Sequence, residues 1–79
     1  MTPEAIKQMI ESHLPDARVE VYGDDGTHFQ ALVVAEAFEG KPVLSRHRMV
    51  YDALGARMGG EVHALSLKTQ TPSEFQNVG

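Results

Sequence analysis

The sequence predicts a two-layer α+β domain with elements in the order α-β-β-α-β-α. Two short strands joined by a glycine-rich turn form a hairpin, which can only be antiparallel. A third strand is reached through a helix, and such a return is a right-handed crossover to a parallel neighbour. The product is a mixed three-stranded sheet with helices packed on one face.

The first element opens with Thr2 as N-cap, Pro3 at the first helical position and Glu4 in the first turn. Ile6, Met9, Ile10 and Leu14 then recur at helical spacing until Pro15 stops the run. Arg18-Val19-Glu20-Val21-Tyr22 alternates polar and apolar residues, the pattern of a half-buried strand. Gly23-Asp24-Asp25-Gly26 signals a turn, and Phe29 to Ala35 reads as the second strand, apolar on both faces at its middle. Gly40 and Pro42 break the chain after Phe38. Ser45 is then expected to cap a helix with Val50, Leu54 and Met58 as its apolar stripe, ended by Gly59-Gly60. Val62 to Lys68 reads as the third strand, with His63, Leu65 and Leu67 on one face. Thr71-Pro72-Ser73-Glu74 is a capping box that opens a short last helix.

With 79 residues the chain reads as one domain, near the lower size at which a core holds unaided. There is no cysteine, hence no disulfide and no thiolate nucleophile. The N-terminal residues lack the apolar stretch of a signal peptide and no run is long enough to span a bilayer, so a cytoplasmic location is expected. A net charge of −4 argues against a general nucleic-acid footprint. Yet Lys41, Arg46 and Arg48 follow one another with no acid before Asp52, and Arg46, His47 and Arg48 are expected in the first turn of a helix, where cations are disfavoured. These residues read as a surface for an acidic partner or an anion such as phosphate, or as arginine stems lying over the rim of the sheet.

No nucleophile elbow, phosphate-binding glycine loop or zinc-protease motif is present, so the chain reads as a binding protein and not an enzyme. Asp24 and Asp25 read as turn formers, and His13 as a cation complementing a helix C-terminus. His63, on an apolar strand face, is either a satisfied, partly buried residue or a metal ligand at the sheet edge. His28 begins the neighbouring strand, and parallel pairing would bring His28 and His63 to the same end of the sheet.

Four blocks in order carry a family resemblance: Gly23-Asp24-Asp25-Gly26-Thr27-His28-Phe29, Phe38-Glu39-Gly40-Lys41, Arg46-His47-Arg48-Met49-Val50-Tyr51, and Val62 to Pro72 with its His-Ala-Leu start. From about Val19 to Phe75 the chain resembles the BolA-like family. The short turn and the lack of cysteine are more similar to the IbaG-type bacterial branch than to BolA itself. The resemblance implies a fold similar to the type II KH domain. It also implies partnership with a monothiol glutaredoxin, with a [2Fe–2S] cluster bridging the two proteins. Glutaredoxin and glutathione would supply thiolates, and His63 maps onto the family's histidine ligand; nitrogen ligation of iron is chemically sound. Many relatives carry the second ligand in a longer loop, and here His28 is the nearby candidate, with a structural role in the turn as its alternative. The family is also described as transcriptional regulators of the stress response, which makes DNA a second expected partner. The Gly-x-x-Gly loop with which KH domains grip a nucleic-acid backbone is missing. A free sheet edge also allows a weak homodimer.

Overall fold

The computed structural model describes residues 1–23, 25–60, 62 and 64–77. Helix α1 (Pro3–His13) leads into strands β1 (Arg18–Tyr22) and β2 (His28–Val34), helix α2 (Val43–Leu54), strand β3 (Ala64–Gln70) and helix α3 (Pro72–Gln76). Single 3-10 turns, Glu36–Phe38 and Gly55–Arg57, precede and follow α2. The sheet order is β1-β2-β3, antiparallel between β1 and β2 and parallel between β2 and β3, as the hairpin and crossover arguments require.

The period-two pattern decides which face is buried. Val19, Phe29, Ala31, Val33 and Leu65 point inward and meet Ile6 and Ile10 of α1 and Val50 and Leu54 of α2. Phe38, from the 3-10 turn, is fully buried in the same core. The opposite face carries Glu20, Tyr22, His28, Gln30, Leu32, Ser66 and Lys68, one or more from each strand. At its far corner the Arg18 guanidinium lies 5.1 Å from the centre of the Phe75 ring of α3.

The termini of α1 and α3 follow the sequence signals. The Thr2 hydroxyl accepts from the Ala5 amide at 3.1 Å, and Thr71 and Glu74 exchange both bonds of a capping box. Other boundaries differ from expectation. Helix α2 starts two residues before Ser45, because Pro42 is fixed in an extended conformation and its carbonyl accepts from the Arg46 amide at 3.1 Å. No side chain caps that end. The helix ends at Leu54, not at Gly59-Gly60, since Gly55 turns to a positive φ of 54°. Met58 therefore lies beyond the helix, in a bridge to Val62. The Gly59 amide donates to the Val62 carbonyl and the Val62 amide to the Arg57 carbonyl across that turn, and β3, described from Ala64, runs to Gln70, two residues past the expected end at Lys68. Strand β2 sits one residue earlier than expected, because the turn closes on His28.

Candidate functional site

The turn between β1 and β2 is organised by one carboxylate. Asp25 Oδ1 accepts from the Thr27 amide at 2.9 Å and from the His28 amide at 2.8 Å, which holds the backbone tightly round Gly26 at a φ of 81°. Its second oxygen, Oδ2, lies 2.6 Å from His28 Nδ1. The His28 and Thr27 amides, then the His28 ring, hold the Asp25 carboxyl far below the usual carboxylate range. An ionised Asp25 can only accept, so Nδ1 carries the proton. In the neutral imidazole the lone pair then resides on Nε2, an assignment made from the hydrogen-bond network. A carboxylate behind one ring nitrogen is how proteins orient a metal-binding histidine. About 59% of the His28 side chain is exposed.

The register places His28 directly opposite Ala64, the residue that follows His63 in the chain. The parallel alignment thus brings the start of β2 to the start of the Ala64–Gln70 strand, as the topology argument anticipates. His63 itself, like Asp24, lies outside the described residues. Among the described residues no group of three or more His, Asp or Glu side chains converges as a metal cage.

Arg46 departs from its expected place on an exposed anion surface. It is only 9% exposed, and each of its three guanidinium nitrogens donates a hydrogen bond. Nε donates to the Lys41 carbonyl at 2.8 Å, while Nη1 and Nη2 grip the two Glu74 oxygens at 2.7 and 3.2 Å. Nη1 also faces the Thr69 carbonyl at 3.5 Å, and the group lies 5.9 Å from the Phe38 ring centre. The two-pronged ion pair raises the Arg46 pKa and holds the Glu74 carboxyl below its ordinary value. Arg46 therefore fastens α2 to the end of β3 and to α3. The arginine at the helix start is tolerated because Glu74, 28 residues away, neutralises it.

Lys41 and Arg48 stay exposed, His47 is half-buried, and the His47 and Tyr51 rings meet edge-on at 6.3 Å. Val43 and Leu44, 60% and 63% exposed, lie beside them. This basic group and His28 do not share a site. Arg46 reaches Thr69, whereas His28 faces Ala64, and five residues of strand separate the two by about 16 Å. His28 and the basic residues occupy opposite ends of the sheet, because α2 begins where β2 ends.

A hollow of about 560 Å³ adjoins His28 on the open face of the sheet, lined by Tyr22, Gln30, Ala64 and Ser66 among others. Nothing in the sequence analysis singles it out, although the run of small or polar residues at alternate positions, Ala64 and Ser66, is its signature. A larger hollow of about 730 Å³ between α1 and the end of α2, touching Met9, His13 and Arg57, takes in His13 but none of the metal or partner-surface residues expected above. Chemistry, not size, favours the smaller one.

Comparison with known proteins agrees with this architecture. The family described as BolA-like protein matches residues 1–74. A bolA protein homologue from Coxiella burnetii superposes with a TM-score of 0.87 at 50% identity, covering 98% of this chain and 99% of that one. Human BolA-like protein 1 is 36% identical over 81 residues, spanning 91% of this chain and 59% of its own length. The SufE-like protein 1 of Arabidopsis thaliana is 47% identical over 53 residues, covering 66% of this chain but 14% of that protein. The chain thus spans less than two thirds of the length of either curated relative. Among the described residues no helix is long and apolar enough to cross a membrane.

Proposed function

Because this chain belongs to the BolA-like family, we propose that it is a non-enzymatic partner of a monothiol glutaredoxin in the assembly, trafficking or sensing of a [2Fe–2S] cluster. The observation that carries the reading is the Asp25–His28 pair at the end of the sheet where Ala64 comes alongside. An imidazole with Nδ1–H given to a carboxylate is oriented and made a better donor through Nε2, and nitrogen donors suit iron. His28 and His63 would hold the cluster from this side, with thiolates from glutaredoxin and glutathione on the other. The bound cluster would supply an electron-accepting iron pair. What this chain does is fix a tautomer, present imidazole nitrogen and offer a face for the second protein.

The test is to mix the chain with a monothiol glutaredoxin, iron, sulfide and glutathione and record the visible spectrum. A heterocomplex with a spectrum unlike that of glutaredoxin alone is expected. His63→Ala should abolish the change, and Asp25→Asn should weaken cluster retention by about ten-fold or more. A spectrum identical with and without the chain overturns the proposal. The alternative reading, a DNA-binding regulator, would depend on Lys41 and Arg48, since Arg46 is taken up by Glu74.

A further inference from the structure

We propose that the open face of the sheet seats a short, extended peptide with a free carboxylate, lying along β3 from the His28 end to Lys68. The inference rests on the reading above, in which glutathione is the tripeptide brought to the His28 end. The hollow beside His28 continues into a second of about 270 Å³ bordered by Leu32 and Lys68, and Tyr22, Gln30 and Ser66 line both. Together they form one groove running parallel to β3.

The cross-strand register explains its shape. Tyr22, Gln30 and Ser66 stand in one row across the three strands, and Glu20, Leu32 and Lys68 in the next. Ala64 and Ser66 are too small to fill their positions, so they form a floor, while Tyr22, 61% exposed, forms a wall. The Gln30 amide and the Ser66 hydroxyl have no hydrogen-bond partner among the described residues and supply donors and acceptors for a peptide backbone. Lys68 is exposed and has no ion pair among the described residues. Glu20, the acid in its row, lies across Leu32 and is occupied by Arg18 at 3.5 Å and the Tyr22 hydroxyl at 3.0 Å. A cation at one end of a neutral groove selects a carboxylate.

Length fits as well. Ala64 to Lys68 spans about 13 Å of strand, and three to four extended residues span roughly 10–14 Å. A tripeptide with its carboxylate on Lys68 therefore ends beside His28.

The probe is S-methylglutathione, which lacks a free thiol and so cannot act through thiolate ligation or disulfide chemistry. It would be titrated at millimolar concentration into the isolated, isotope-labelled chain and followed by NMR. Saturable shifts confined to Tyr22, Gln30, Ser66 and Lys68 are expected. Lys68→Ala should weaken the apparent affinity about ten-fold, Ser66→Phe should abolish it by filling the floor, and Lys41→Ala should leave it unchanged. Shifts that do not saturate, that gather round Lys41 and Arg48, or that survive both groove variants overturn the inference. A saturable groove with no cluster spectrum would refute the functional reading alone. A cluster spectrum without groove binding would refute the groove alone.

Discussion

Replacing Gly23 by alanine should damage the molecule at the turn that positions His28. An ideal Cβ at Gly23 would stand 2.5 Å from Phe29 Cδ1 and 2.8 Å from the His28 carbonyl oxygen, separations that real Cβ atoms do not tolerate. Neither neighbour yields readily. Phe29 is 3% exposed and packed in the core, and the His28 carbonyl belongs to the backbone of β2. Relief requires the hairpin to open or the ring to leave its rotamer, and overpacking of this kind costs roughly 1–3 kcal/mol. With an unfolding entropy of about 2.1 cal/mol/K per residue, the Tm of a chain this size should fall by about 6–18 °C. Gly26→Ala is the control. Its φ is 81°, but nothing lies within 4 Å of its Cβ, so only backbone strain of about 1–2 kcal/mol applies. Thermal unfolding gives the magnitudes, and NMR shifts of the His28 and Phe29 rings give the location. Gly23→Ala should move both rings, Gly26→Ala mainly the turn. A Gly23→Ala protein with wild-type Tm and unmoved rings would refute the packing argument.

Phe38→Ala should cost about 3–5 kcal/mol, a large part of the stability of so small a domain, and chemical denaturation would measure it. Glu74→Gln should lower the Tm more than a surface charge change does, because it leaves the Arg46 guanidinium only 9% exposed and without its counterion. In a double-mutant cycle with Arg46→Met, the paired change should cost less than the sum of the single ones. Asp25 and Glu74 both have folded-state pKa values below their unfolded ones, so the unfolded chain binds more protons as pH falls. Their contribution is complete above the unfolded value near pH 4 and is lost as pH falls through and below it. Urea midpoints between pH 6 and 2.5 should show that loss, and Asp25→Asn should flatten it.

Strand and helix periodicities, the hairpin turn and the capping box were legible because each depends on residues within a few positions of one another. Arg46 was not. Its local setting, a cation at a helix start, is unfavourable by every short-range rule, and the compensation comes from Glu74 at the other side of the domain. Glu74 was recognisable as a cap, but nothing nearby reveals that the same carboxylate has a second duty. Asp25 was legible as a turn former for the same local reason, while its grip on the His28 ring depends on the exact closure of that turn. The separation of the basic residues from His28 follows from the direction of α2, which a linear reading of neighbouring blocks obscures.

Glu74 Oε1 takes hydrogen bonds from both the Thr71 amide and the Arg46 guanidinium. One oxygen atom thereby ties the start of the last helix to the start of the middle one. Unwinding the final turn would release a positive charge beside Lys41 and Arg48 in the same motion. The order of α3 and the electrostatic character of that end of the domain are a single coupled quantity.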